Sequence, residues 1–243
     1  MYKIVIIFSL FTTLIFSATS QQVDEYMSIT HSDRELIEIE KMFSNLSDTM
    51  NLEDDNISQQ ITISYQTYLG KHISENEMNK LLALYRKPIM QQYINETDMF
   101  DIPAEEMEIF LAALKENPLS TERQDLINEL VATIINEDLL LKFYNSMMQR
   151  YQGKKKNQDK NEKSKKALTT EEKQFIKLMK KGITDELLYG TQVLNLDEIK
   201  KINKLMKSSV ITKVINIEHE AIIQIMENFI KNIIAESNNL EKK

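Results

Sequence analysis

Residues that form tight turns are scarce in this chain. Its 243 residues include only 4 glycines and 3 prolines, whereas average proteins contain about 7% glycine and about 5% proline. A β-sandwich or a β-barrel needs a turn every ~8–12 residues, so this composition excludes both folds. The sequence therefore predicts an all-α fold, a bundle of about seven to nine helices.

The chain contains no cysteine. Disulfide frameworks, thiolate zinc sites and cysteine nucleophiles are therefore excluded. A hydrophobic content of 42% is sufficient to bury a core of helices.

Residues 1–20 have the pattern of a secretory signal peptide. One lysine precedes an apolar run over residues 4–16, and the small residues Ala18 and Ser20 follow it. This pattern predicts cleavage before Gln21 and a periplasmic or secreted location. The alternative, a retained membrane anchor, needs about 20 apolar residues, which this run does not supply. We expect no membrane span after cleavage, because no later stretch approaches that length.

Charge is distributed unevenly along the mature chain. Residues 21–152 carry 10 Lys/Arg against 24 Asp/Glu, a net −14, whereas residues 153–243 carry 19 against 13, a net +6. The lysine-rich stretch 153–168 is predicted to be a solvated linker before a helical region at 169–243. It offers neither arginines nor aromatic rings to nucleic acid, so no nucleic-acid partner is predicted. We expect the opposite charges to attract the two regions.

Capping patterns and apolar spacings of three and four residues mark the predicted helices. Pairs that fit a capping pattern are Ser32/Glu35, Ser74/Glu77, Thr121/Gln124, Thr169/Glu172 and Asn195/Glu198. Gly70 and Gly182 are predicted to end helices, and Pro88 predicts a kink or a new helix. The pattern over residues 121–151 fits either one helix or two helices joined near Asn136.

A shift of 121 positions aligns residues 73–90 with residues 194–211. Glu77, Lys80 and Leu84 then coincide with identical residues, and apolar positions coincide along both segments. Any two amphipathic helices can be aligned to some extent, but here the cap, the apolar face and the helix restart agree in register. The sequence therefore predicts an internal helix-turn-helix repeat.

The first of these segments resembles a known motif. Glu77, Leu81, Tyr85, Arg86 and Pro88 are arranged like the acidic-capped helix and the Phe-Tyr-x-Ser-Pro-x-Gly turn of one family of bacterial periplasmic proteins. That family is a domain of unknown function. The resemblance implies an all-helical body, often with two such motifs, and a periplasmic location. It implies no active site.

Motifs for catalysis, metals or cofactors are absent from the sequence. His31, His72 and His219 have neither the HExxH nor the Glu-x-x-His spacing. Acidic residues such as Glu105 and Glu106 are explained by the N-terminus of a helix. The four glycines are too widely separated to form a phosphate-binding loop. We therefore expect no cofactor, and the sequence nominates no catalytic or metal-binding residue.

Aromatic and methionine side chains are the remaining candidates for ligand contacts. Most of the 13 methionines occupy apolar helical faces, where filling a core explains them. Tyr65, Tyr68, Tyr85 and Tyr93 are the densest aromatic set and could rim a ligand cleft, although core packing also explains their spacing.

These observations leave three functions open. The sequence favours a non-catalytic protein that binds another cell-envelope component through a groove between helices. The alternatives are a carboxylate-based envelope hydrolase and a carrier of a small apolar ligand. A pocket with two carboxylates of raised pKa would favour the hydrolase, a dry apolar tunnel would favour the carrier, and an exposed apolar strip would favour the envelope-binding protein.

Overall fold

The computed structural model describes residues 17–49, 57–100, 102–151 and 168–240, and within these ranges every regular element is a helix. The helices are α1 Ser20–Thr30, α2 Ser32–Thr49, α3 Ile57–His72, α4 Glu75–Tyr85, α5 Pro88–Thr97, α6 Ala104–Glu116, α7 Thr121–Ile134, α8 Glu137–Tyr151, α9 Thr170–Gly190, α10 Leu196–Met206 and α11 Ser209–Leu240. The all-α prediction is confirmed. These eleven helices slightly exceed the expected seven to nine.

Helix α1 is the element that the sequence analysis does not predict. It buries only Val23, Tyr26 and Met27, and three apolar positions are too few to give a clear helical period. The segment 121–151 forms two helices, and Pro88 begins a new helix rather than a kink.

Most predicted helix starts are confirmed, whereas two predicted helix ends are wrong. Capping boxes at Ser74, Thr169 and Asn195 are present, but Ser32 is the first residue of α2 and Ser120 caps α7 in place of Thr121. Helix α3 continues past Gly70 to His72, and α9 continues past Gly182 to Gly190. Apolar side chains on both sides of each glycine pack into the bundle, and this packing outweighs the weak helix propensity of one glycine.

A single core joins helices from both halves of the chain. Helix α3 packs against α11, α7 packs against α9 and α10, and α5 packs against α9 and α10. Fully buried members of this core are Leu69, Ile73, Met78, Leu81, Met90, Leu130, Ile199, Ile202, Ile211 and Ala221. Residues 21–152 and 169–240 therefore share one hydrophobic interior. The proposed linker at 153–168 lies outside the described residues, apart from Leu168.

Ion pairs also cross between the two regions with the sign that the charge distribution predicts. In each of them a glutamate from residues 21–152 accepts a hydrogen bond from a lysine of residues 169–240: Glu77 from Lys213, Glu122 from Lys200, Glu129 from Lys207 and Glu137 from Lys180. Exposed pairs of this kind contribute only about 0–1 kcal/mol each. The buried apolar contacts therefore carry most of the association.

Helices that are 121 residues apart begin and end at matching positions. Helix α4 covers 75–85 where α10 covers 196–206, and α5 and α11 begin at 88 and 209. Their packing is also reciprocal: α1 lies on α4 as α7 lies on α10, and α3 contacts α11 as α9 contacts α5. The order α1 to α5 thus parallels the order α7 to α11, with α6 between them.

Residues just before the predicted cleavage site take part in the fold. The Thr19 side chain caps α1 and exchanges hydrogen bonds with Gln22. The Ala18 amide donates to the Ile73 carbonyl over 2.9 Å, and Ala18 is buried.

A mature chain that begins at Gln21 should therefore be less stable than one that begins at Ala18. Loss of an N-cap costs about 0.5–2 kcal/mol, and the hydrogen bond from Ala18 adds about 1 kcal/mol, so we expect a difference of about 1–3 kcal/mol. Urea melts of the two chains measure it, with Thr19→Ala as the control that isolates the cap. Equal stability would show that residues 18–20 contribute nothing to the folded state.

Candidate functional site

A cavity of about 690 Å³ lies among α1, α2, α4, α5, α9 and α11. This volume is within the usual range for sites that bind small molecules. Its floor contains the buried side chains of Tyr26, Ser32, Tyr85, Tyr93 and Ile94, and its exposed rim contains Glu38, Phe100 and Glu186. The remaining lining residues are half-buried: Thr30, His31, Arg34, Ile39, Thr97, Asp98, Met99 and Glu218. Polar and apolar groups thus face the same space.

Two tyrosines hold the carboxylate of Glu218 at the floor of this cavity. The Tyr26 hydroxyl donates to Oε1 over 2.9 Å, and the Tyr65 hydroxyl donates to the same atom over 2.8 Å. Burial raises the pKa of Glu218, although both hydrogen bonds act to lower it. Because the two hydroxyls share Oε1, the second carboxylate oxygen is left for another partner.

Asp98, which also lines the cavity, binds two basic side chains. Arg34 donates to Oδ2 of Asp98 over 2.6 Å, and Nδ1 of His31 lies 2.7 Å from the same oxygen. His31 has φ of 58°, the left-handed region that L-residues with a side chain rarely occupy. It is the C-cap of α1, and this backbone conformation directs the chain into α2 while the ring contacts Asp98. Unusual backbone of this kind tends to occur at functional sites.

Tyr93 presents a hydroxyl that has no partner within the described residues. The side chain is about nine-tenths buried, with 7% of its surface exposed, and it lines the cavity. Burial alone raises the pKa of Tyr93. Because the side chain lines the cavity, its hydroxyl is available to a ligand.

Glu186 lies at the rim, and its pKa is raised by burial and by the neighbouring Asp185. It accepts no hydrogen bond and joins no ion pair in the part of the chain that the structure describes. The cavity therefore has two carboxylates, Glu186 and Glu218, that are not paired with a basic side chain.

The residues of the family-like motif have different roles in the fold and do not form one site. Glu77 completes the cap of α4 and binds Lys213 over 2.6 Å, and these bonds lower its pKa to about 2. Leu81 is fully buried in the core, Arg86 binds Glu25, and Pro88 begins α5. Tyr85 alone reaches the cavity, where its ring packs edge-on against Tyr26 at 5.7 Å.

The sequence identifies some of the tyrosines of this site, but neither Tyr26 nor the acids. Of the aromatic set, Tyr85 and Tyr93 line the cavity and Tyr65 binds its Glu218, whereas Tyr68 binds Glu220 outside it. Glu218 and Asp98 are far apart in sequence and belong to no motif. The available signal was a glutamate on the apolar face of α11, where Val214, Ile217, Ala221 and Ile225 are buried.

Metal and membrane sites can be assessed for the described residues. Among them, no cluster of three or more histidine or acidic side chains could hold a metal ion. Within the same ranges, no helix combines the length and the apolarity that crossing a bilayer requires.

Comparison with known proteins does not assign the chain to a family. No protein-family model matches the sequence, and neither the curated proteins nor the solved structures give a match. The resemblance of Glu77, Leu81, Tyr85, Arg86 and Pro88 to the periplasmic family thus stays a prediction, and the function is argued from the cavity.

Proposed function

We propose that this chain is an exported, non-catalytic binding protein whose cavity holds a small amphiphilic ligand. The observation that carries the proposal is that Tyr93 lines a cavity of about 690 Å³ and that its hydroxyl has no partner among the described residues. Bound ligand would satisfy this group and cover the rings of Tyr26 and Tyr85. The signal-peptide pattern of residues 1–20 supports a location in the cell envelope or outside the cell.

The sequence favours a protein that binds another cell-envelope component, and this proposal specifies a small ligand instead of a large partner. A protein that binds a large envelope partner should carry a continuous exposed apolar strip. Among the described residues, the exposed large apolar side chains are instead spread over several elements: Ile37, Ile63, Phe100, Ile109, Leu178, Met179 and Val193. The cavity therefore supports a small ligand better than the surface supports a large one.

A neutral fluorescent probe tests the proposal. N-phenyl-1-naphthylamine should bind with one saturable site, and Ile39→Trp should weaken binding at least tenfold because Ile39 lines the cavity. Ile37→Trp is the matched control, since Ile37 is on the same helix but exposed and outside the cavity. Both variants are checked by thermal melts. Equal loss in both variants, or no saturable binding to the parent protein, would contradict the proposal.

The hydrolase is a second candidate, because Glu186 and Glu218 both have raised pKa values and line one cavity. Paired carboxylates of this kind can act as acid and base. It ranks second because the two tyrosine hydrogen bonds occupy Oε1 of Glu218, and Glu186 lies at the exposed rim. The hydrolase would become the first candidate if the protein released products from cell-wall glycans and Glu218→Gln abolished that release.

The reciprocal packing supports a further part of the proposal: the chain contains two copies of one five-helix unit, α1 to α5 and α7 to α11. In each copy, the third helix packs against the last helix of the other copy. Exchange of the last helix in this way accounts for the single hydrophobic core that both regions share.

A further inference from the structure

The ligand cavity is an acidic site whose basic side chains, among the described residues, already bind a carboxylate. Arg34 and His31 both bind Asp98, and Glu38 at the rim is paired with Lys41 over 2.8 Å. Among the described residues, Glu218 accepts hydrogen bonds from the neutral hydroxyls of Tyr26 and Tyr65, and the charged neighbour that raises the pKa of Glu186 is Asp185. A ligand that enters therefore meets two carboxylates without basic partners among the described residues.

Aromatic rings and the Tyr93 hydroxyl line the same cavity as Glu218. The Tyr26 and Tyr85 rings meet edge-on at the floor, and their faces are suited to a cation or to an apolar body. Phe100 is less available, since Arg34 and Lys41 lie 5.8 Å and 5.2 Å from its ring centroid. The Tyr93 hydroxyl can accept an N–H, and the second oxygen of Glu218 can accept another.

We propose that the ligand is a small amphiphilic amine, whose ammonium group binds the Glu218 carboxylate and the Tyr93 hydroxyl and whose apolar part packs on the tyrosine rings. This inference rests on the proposed function, because it names the ligand class of the same cavity. An alcohol of the same shape would leave the Glu218 carboxylate without a cationic partner. A carboxylate ligand would be repelled by Glu218, Glu186 and Glu38.

The preference for an amine arises because the Glu218 carboxylate is shielded from water. A buried carboxylate that receives only neutral hydrogen bonds gains more from an ammonium than a solvated one does, because the local dielectric is low. Selectivity for the amine over a neutral analogue should therefore depend on Glu218 and remain largely independent of the apolar contacts.

Three probes with one apolar body test this inference: 4-phenylbutylamine, 4-phenylbutanol and 4-phenylbutyrate, titrated into the full mature chain by calorimetry. We expect the amine to bind at least tenfold more tightly than the alcohol, and the carboxylate to bind weakest. Glu218→Gln should remove the preference for the amine and leave the affinity for the alcohol within about twofold, because the amide oxygen can still accept from Tyr26 and Tyr65. Tyr93→Phe should lower the affinity for the amine severalfold.

Glu220→Gln is the matched control for the loss of charge. Glu220 also accepts a tyrosine hydroxyl, from Tyr68 over 3.2 Å, and lies on α11 two residues from Glu218, but it does not line the cavity. Preference for the amine should persist in this variant, and thermal melts establish that both variants are folded. Equal binding of all three probes would overturn the amine inference while leaving a ligand cavity, whereas failure of the neutral fluorescent probe as well would overturn the proposed function.

Discussion

Leu81→Ala and Ile202→Ala should each lower the free energy of unfolding by about 2–5 kcal/mol, the range for a large apolar side chain removed from a packed core. Both side chains have no exposed surface. They occupy the same position, 121 residues apart, on α4 and α10. Similar environments should produce similar cavities, so the two losses should agree within about 1 kcal/mol. Denaturant melts of the two variants measure them.

Lys80→Ala and Lys201→Ala provide the controls. These lysines precede Leu81 and Ile202, are exposed, and are equivalent under the same shift. Each substitution should change stability by no more than about 0.5 kcal/mol. A large loss of stability in Leu81→Ala together with no loss in Ile202→Ala would show that α4 and α10 are unrelated amphipathic helices. That result would also contradict the proposed pair of five-helix units.

Much of the fold can be predicted from local sequence because helix signals are local. A capping box such as Ser74 with Glu77 fixes a helix start within four residues, and apolar spacing identifies the buried face. Glycine is a weaker signal: Gly70 and Gly182 lie inside helices because tertiary packing of their neighbours decides the backbone. Helix α1 is missed because it buries only three side chains, which are too few to establish a helical period.

The candidate site is not predictable in the same way, because its groups come from distant segments. Glu218 lies 192 positions from Tyr26 and 153 from Tyr65, and His31 lies 67 from Asp98. Each of these residues is unremarkable in its own segment, and only the tertiary packing places them in the cavity or, for Tyr65, in contact with its Glu218. Tyr65, Tyr85 and Tyr93 can be nominated from the sequence because four tyrosines lie between residues 65 and 93, whereas Tyr26 lies outside that group and is missed.

Two glycines of one helix, Gly190 and Gly182, should respond to alanine with opposite signs. Gly190 ends α9 where it crosses α5. A Cβ there would lie 2.6 Å from the Glu96 carbonyl oxygen and 2.8 Å from Cα of Thr97. Both atoms belong to the backbone and cannot turn aside. At Gly182, in the middle of the same helix, a Cβ would meet no atom within 4 Å.

Gly182→Ala should therefore stabilise the protein by about 0.5–1 kcal/mol, because alanine has the higher helix propensity and restricts the unfolded chain. Gly190→Ala also raises the helix propensity, but its methyl group forces α5 and α9 apart. Overpacking of this kind costs about 1–3 kcal/mol. Thermal and urea melts of the two variants compare them directly. Stabilisation by both substitutions would show that α5 and α9 separate without cost.

The effect of Gly190→Ala should extend to the ligand. Thr97, which the new methyl group would displace, lines the cavity next to Asp98, and Asp98 fixes both Arg34 and His31. A shift of a few tenths of an ångström at the end of α5 lengthens these hydrogen bonds, and hydrogen bonds weaken as their geometry departs from the optimum. Binding of the neutral probe should fall in Gly190→Ala and remain unchanged in Gly182→Ala. Loss of stability without any change in probe affinity would show that the α5–α9 crossing supports the bundle but does not position the cavity wall.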